Sequence, residues 1–242
     1  MRLSKAGIGT IRVNNLDEMY PAQDMLLQSG QLVQYGTGIF GYNNIPMLIR
    51  RNIERVIEEC LNEVGCIEIQ LPTLQPSEIW KKSGRFKNYV EDGTMMVIES
   101  DRGTLCLAPT AEEACIEFMG EKLKSYKHMP ATVYQIGEKY RNEIRTRGFL
   151  LRGRSFLMMD AYSFDTDLEG LQKSYDNVKR AYLEIAKRLG LKVNFINTSF
   201  DGILGKIGKD YDVVCSAVTI NPTRKKAVLF STPYITNYQT VV

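Results

Sequence analysis

A single histidine, His128, serves the whole 242-residue chain. That scarcity excludes His-rich metal sites and sets aside a Ser-His-Asp nucleophile system. The five cysteines are odd in number and include no C-x-x-C pair. They are expected to be reduced thiols packed as small core residues, without a disulfide framework or zinc site, in a cytoplasmic protein. No uninterrupted apolar run approaches the ~18 residues that span a bilayer, and the N-terminus lacks the apolar stretch of a secretory signal. Neither G-x-G-x-x-G after a strand nor G-x-x-x-x-G-K-[ST] occurs, so the Rossmann and P-loop routes to nucleotide binding are unsupported. Internal repeats and low-complexity stretches are also missing. A net charge of +3 is too small to imply nucleic-acid binding by the chain as a whole, and any such claim must rest on a local cluster.

What is present is an ordinary globular composition, 44% hydrophobic and 24% charged, in a length that suits one domain over 1–242 with a tail at about 231–242. Against that background 134–164 stands out. Between Glu138 and Arg154 lie six basic residues (Lys139, Arg141, Arg145, Arg147, Arg152, Arg154) against two acidic ones. Runs of strand character at 131–141 and 154–164 flank the arginine-rich loop. Arginine grips phosphates and carboxylates through a fixed fork of donors, so a phosphate-binding hairpin is one reading. A solvated charged hairpin with Phe156 in the core is, on spacing alone, an equal one. In an extended strand Arg141 and Glu143 share a side with Lys139, and Arg152, Arg154, Phe156 and Asp160 share another.

The remaining pattern alternates strands and helices irregularly. A loose helical pattern covers 23–35, followed by a turn spaced by Gly36, Gly38 and Gly41. A secure helix begins near Pro46 and stops at Gly65. A strand at 66–71 closes at Pro72, and Ser77 is placed to cap a short helix to Lys82, ahead of a loop at 84–93. Apolar runs at 95–100 and 104–108 form a hairpin. Thr110 and Glu113 have capping-box spacing for a helix to about Lys124, as do Thr166 and Glu169 for a long helix ending at Gly190. Strands are expected at 193–197, 212–218 and 227–230. Adjacent strands with helices interspersed imply an α+β fold with a mainly antiparallel sheet.

The sequence YRNE at 140–143, with R-x-x-x-F at 152–156, resembles motif 2 of the class II aminoacyl-tRNA synthetases. The longer stretch GEKYRNEIRTRGFLLRGRSFLMMDAYSF resembles the prolyl-tRNA synthetase form of that motif nearly residue for residue. Residues 42–72 look like motif 1, LQPSEIWKKSGRF at 74–86 like the segment after it, and LAPTAEEA at 107–114 like the family's Thr-x-Glu loop. The resemblance covers roughly 25–215. It implies a class II synthetase-like antiparallel β-sheet flanked by helices, a homodimer formed through the motif 1 helix, and ATP-dependent activation of proline or a related amino acid. ATP with Mg2+ is the implied cofactor, no protein metal site is implied, and tRNA is the implied acceptor.

Residue by residue, the resemblance implies that Arg141 holds the α-phosphate and the substrate carboxylate. Glu143 accepts from the adenine amine, Arg152 reaches the terminal phosphates and Phe156 stacks on adenine. Thr110 and Glu112 bind the imino group, and Phe164 walls the ring. Each has a plainer competitor: Thr110 as a helix cap, Glu112 as a first-turn acid favoured by the helix dipole, Asp160 as a strand-end charge.

Several positions depart from the family pattern. Ser155 stands where Glu is usual and Ala111 where His is usual. Lys209, in the glycine-rich loop 201–213, falls about where a histidine reaches the amino-acid pocket; a cation there would repel an imino acid and favour an acidic or altered substrate. No stretch matches motif 3, an editing insertion or an anticodon-binding domain. A non-catalytic paralogue that binds an amino acid, ATP or a synthetase partner is therefore the alternative, and a fragment of a longer synthetase the third reading.

Overall fold

A computed structural model describes residues 15–144, 146 and 149–193. The chain divides into two compact units, Met1–Leu191 and Lys192–Val242, and every helix and strand among the described residues lies in the first. The strands expected at 193–197, 212–218 and 227–230, the tail and Lys209 fall outside the described residues, apart from Val193.

Helix α1 (Pro21–Gln28) opens on proline, whose missing N–H would be unpaired there anyway. It does not continue to residue 35. Gly30, at φ +69, ends it, and Leu32–Gly36 (β1) folds back on Ile39–Tyr42 (β2) as an antiparallel hairpin. Gly38 at its tip, φ +75, touches the arginine-loop hairpin so closely that a Cβ would sit 2.9 Å from the Arg154 amide nitrogen. Helix α2 (Asn44–Glu63) starts two residues before Pro46, because the Asn43 side chain accepts from the Asn44 amide. Gly65, φ +83, stops it as expected.

Of the strand expected at 66–71, only Ile67–Glu68 (β3) is regular, and it pairs in parallel with β7 (Ala131–Tyr140). Leu74–Pro76 (β4), Met96–Ser100 (β5) and Gly103–Leu107 (β6) form an antiparallel sheet in the order β4-β6-β5, with the expected hairpin at 101–102. Ser77 does not cap helix α3 (Ser77–Lys82); it is the helix's first residue, behind Pro76. The stretch 84–93, expected as loop, contains helix α4 (Phe86–Glu91). Its Tyr89 is buried with its ring centroid 5.2 Å from that of Trp80.

Helix α5 (Glu112–Gly120) begins after Ala111 without a side-chain cap, so the Thr110–Glu113 capping box is not formed. Helix α6 (Leu168–Arg188) is capped by Asp167, which accepts from the Gly170 amide. Thr166 bonds to Asp167 instead of to the helix.

Strand β7 pairs antiparallel with β8 (Ser155–Phe164) over ten residues without a break, from Ala131↔Phe164 to Tyr140↔Ser155. The strict alternation sorts side chains to two faces. Tyr134, Ile136, Met159 and Ala161 pack against α2 and α6 through Cys60, Leu61 and Ala181. Val133, Tyr162 and Phe164 pack against Ala114, Cys115 and Met119 of α5. Further along that second face lie Gln135, Gly137, Lys139, Phe156 and Asp160. The four cysteines among the described residues are free and buried, Cys60, Cys66 and Cys115 in these cores and Cys106 with Trp80 and Tyr89, and burial pushes the Cys115 thiol up to about 12. Among the described residues no helix is long and apolar enough to cross a membrane.

Leu61 is fully buried between α2 and the ribbon, so Leu61→Ala is expected to cost about 2–5 kcal/mol in urea unfolding. Leu168→Ala, at a side chain 83% exposed, is expected to stay within about 0.5 kcal/mol. Equal losses in the two variants would contradict this placement of the core.

Candidate active site

The second face of the β7–β8 ribbon ends in the arginine loop, and the segment 108–112 runs alongside it. Backbone bonds fix this arrangement: the Tyr140 amide donates to Ala108 O at 3.0 Å and the Asn142 amide to Thr94 O at 2.8 Å. The Arg141 amide donates to Arg154 O at 3.0 Å, extending the ladder one pair beyond the strands. The base of the loop is pinned from outside as well, since the Arg154 amide donates to Gly38 O at 2.7 Å.

Arg141 sits where these segments meet. Its Nε donates to Pro109 O at 3.2 Å, and its guanidinium carbon lies 5.4 Å from the centroid of the Phe156 ring. The carbonyl holds the group in place while consuming one of five donors, and a guanidinium keeps the rest for an anion. Glu143 and Arg152 form an ion pair with each other, and the Arg154 Nε donates to Glu143 O at 3.2 Å. Arg141, Glu143, Arg152 and Phe156 are thus gathered at one end of the ribbon.

Thr110 and Glu112 lie beside them. The Thr110 hydroxyl donates to Glu112 Oε2, a contact between side chains that a helix cap would not make. Ala111 between them is buried in the core under α5. Phe164 lies at the far end of β8, two positions past Tyr162, and packs into that same core. The structure therefore sets Arg141 on the carbonyl of Pro109, the residue before Thr110, and places Phe164 in the packing cluster that holds Ala111.

Beneath the site is a charged pair that sequence reasoning did not pair. Lys139 is 2% exposed, and its Nζ lies 3.0 Å from Asp160 Oδ1, an ion contact without hydrogen-bond alignment. The other carboxylate oxygen accepts from Gln135 Nε2 at 2.9 Å and from the Tyr162 hydroxyl at 2.6 Å. Gln135 in turn accepts from the Leu71 amide at 3.1 Å, tying the network to the segment that follows β3. Burial, then the Asp160 carboxylate, push the Tyr162 phenol far up, so it remains a donor at physiological pH. Gly137 leaves Lys139 room: its nearest neighbour in the Cβ direction is that Nζ at 3.6 Å. The alternation already put Lys139 on this face; only the register showed that Asp160 answers it. Arg85, from a stretch expected as loop, also reaches the site, and the i, i+3, i+4 spacing of Phe86, Tyr89 and Val90 was the available sign that this stretch is helical.

Residues 96–226 match the family described as tRNA synthetase class II core domain (G, H, P, S and T). The proline–tRNA ligase of Gloeothece citriformis is 37% identical over 219 residues, covering 90% of this chain and 36% of that protein. The corresponding ligase of Anaplasma phagocytophilum is 35% identical over 232 residues, covering 95% of this chain and 52% of that protein. The chain thus spans about a third to a half of the length of these relatives. Among solved structures, Giardia lamblia prolyl-tRNA synthetase in complex with prolyl-adenylate superposes with a TM-score of 0.59 at 20% identity, over 66% of this chain and 33% of that one. A Cryptosporidium parvum prolyl-tRNA synthetase complexed with halofuginone and AMPPNP gives 0.60 at 14% identity, over 69% and 34%. These likenesses show the fold expected from the motifs.

Removing one member of the buried pair leaves the other charged and unpaired. Asp160→Ala is expected to cost about 3–5 kcal/mol in chemical denaturation. A loss below about 1 kcal/mol would show that Lys139 reaches water or another anion.

Proposed function

Because the chain belongs to the class II tRNA synthetase core-domain family, we propose that the β7–β8 cleft binds ATP and an amino acid and joins them as an aminoacyl-adenylate, with proline as the amino acid. One contact carries the reading most directly. Arg141 lies over Phe156 on one side and on the Pro109 carbonyl, next to Thr110, on the other. A single guanidinium therefore bridges the nucleotide end of the cleft and its amino-acid end. The choice of proline is supported by relatives that are proline–tRNA ligases, matched over nine-tenths of this chain.

In this reading a substrate carboxylate oxygen attacks the α-phosphorus, forming a new P–O bond as the bond to pyrophosphate breaks. No proton has to be abstracted, so positioning and charge neutralisation carry the catalysis. Arg141 neutralises charge on the α-phosphate and carboxylate. Glu143 takes the adenine amine once Arg152 turns from it to the terminal phosphates, Phe156 stacks on the base, and Thr110 with Glu112 receives the imino group. Phe164 backs the ring from the packing layer. Mg2+ arrives with the triphosphate, whose oxygens it prefers. Among the described residues no group of three or more His, Cys, Asp or Glu side chains is placed to hold a metal. The activated residue is destined for tRNA, as in the ligase relatives. The buried free thiols accord with a reducing cytoplasm.

A second copy of the chain is the proposed partner. Val33, Tyr35 and Ile39 of the β1–β2 hairpin and Ile45, Leu48 and Ile49 of α2 are all exposed, an apolar surface centred on motif 1.

ATP–pyrophosphate exchange is expected with proline, and a panel including aspartate and glutamate tests the influence of Lys209. Arg141→Ala is expected to lower exchange about 10²–10³-fold. Thr110→Ala is expected to weaken proline binding while leaving the urea midpoint nearly unchanged, since Thr110 caps nothing. ATP or proline binding without exchange would favour the accessory reading, and binding of neither at millimolar ligand would remove the site assignment. Sedimentation at assay concentration is expected to give a dimer that Leu48→Glu splits, and a monomeric wild type would remove the partner.

A further inference from the structure

Arg85, between α3 and α4, connects the amino-acid end of the cleft to a pair of aromatic rings. Its guanidinium carbon lies 5.6 Å from the Trp80 ring centroid and 5.0 Å from that of Tyr89, and Nη2 donates to the Tyr89 hydroxyl. Nη1 is shared by two carboxylates: Glu113 Oε1 at 3.0 Å and Glu112 Oε2 at 3.5 Å. Glu113 is buried and also accepts from the Ser83 hydroxyl at 2.9 Å.

A guanidinium that served only to neutralise Glu113 would meet it as a two-pronged fork, its strongest geometry. Arg85 does not. Its Nε and Glu113 Oε2 are both buried without a hydrogen-bond partner among the described residues, while Nη1 reaches past Glu113 to Glu112. Glu112 Oε2 then has two donors, Arg85 and Thr110, whereas no hydrogen bond or ion pair engages Oε1 among the described residues. A carboxylate whose side chain is 40% exposed would otherwise sample several rotamers. Burial alone would lower the Arg85 pKa; the neighbouring Tyr89, Glu113 and Glu112 outweigh it, so the group stays charged.

We propose that Arg85 is a positioning residue for amino-acid recognition: it clamps Glu112 by one oxygen so that the other is held ready for the substrate's amino group. This rests on the assignment of Thr110 and Glu112 to that amino group. Two physical effects oppose each other at this point. Arg85 reduces the net negative charge that attracts a cationic amine, which weakens binding. It also fixes the acceptor, which strengthens binding, because a well-aligned hydrogen bond to a charged group is worth roughly tenfold to a hundredfold in affinity. Positioning wins here, and the sign of the effect on affinity is the signature.

The test is calorimetry on the 242-residue chain with L-proline and, separately, ATP. Arg85→Met alone would strand the buried Glu113, so the informative variant is R85M/E113Q, which replaces the buried charge pair with neutral groups of similar size. Its proline affinity is expected to fall on the order of tenfold to a hundredfold with ATP affinity and melting temperature held. Glu113→Gln alone is expected to keep wild-type proline affinity. Arg85→Lys, which retains the charge without the fork, is expected to give an intermediate loss. Unchanged or tighter proline binding in R85M/E113Q, or full retention in Arg85→Lys, overturns the inference while leaving the proposed function intact. A wild-type chain that binds ATP and no amino acid overturns the assignment of Glu112, and the inference with it.

Discussion

The ten-residue register of β7 with β8 is the constraint on which the rest of the molecule depends. A shift of one residue would exchange the faces, putting Tyr134 and Ile136 in the cleft and Lys139 and Gln135 against α2 and α6. Both results are costly: apolar side chains would displace the buried polar network around Asp160, and a lysine would be buried away from its carboxylate. The Lys139–Asp160 contact is therefore better understood as a register device than as a source of net stability. A buried ion pair is often no more stable than apolar residues in its place, but it is badly disfavoured when its halves are separated. The same register that protects the core sets Phe156 opposite Lys139, in position to meet the guanidinium of Arg141.

Much of this was legible in the sequence, for reasons that can be traced. The ribbon announced itself through two long apolar and aromatic runs around an arginine-rich loop, and α2 through its 3.6-residue stripe and terminal glycine. The faces were readable because alternation in a strand is rigid. The start of each helix was not. Thr110, Ser77 and Thr166 each had the right residue type and spacing for a cap, yet the caps that form are Asn43 and Asp167, and α5 and α3 have none. Short polar side chains near a helix start have several local partners of similar strength, and tertiary contacts decide among them. Thr110 turns to Glu112, and Asp167 is preferred over Thr166 because its carboxylate bonds the Gly170 amide.

The site shows a similar division. Motif residues were identifiable one at a time, and the structure gathers Arg141, Glu143, Arg152 and Phe156 at one end of the ribbon. Their supporting partners come from distant segments that no local pattern links. Arg85 reaches Glu112 from 27 positions upstream, and Gln135 meets the Leu71 amide across 64 positions. Periodicity within a window carries no information about such contacts.

The tip of the β1–β2 hairpin, where the Gly38 carbonyl takes the Arg154 amide, gives the arginine loop a second anchor outside its own ribbon. The hairpin carries exposed apolar residues, and at its tip the Gly38 carbonyl accepts from the Ser155 amide as well, at 3.5 Å. A substitution at the hairpin tip would therefore be felt at the base of the arginine loop, although the two segments lie far apart in the chain.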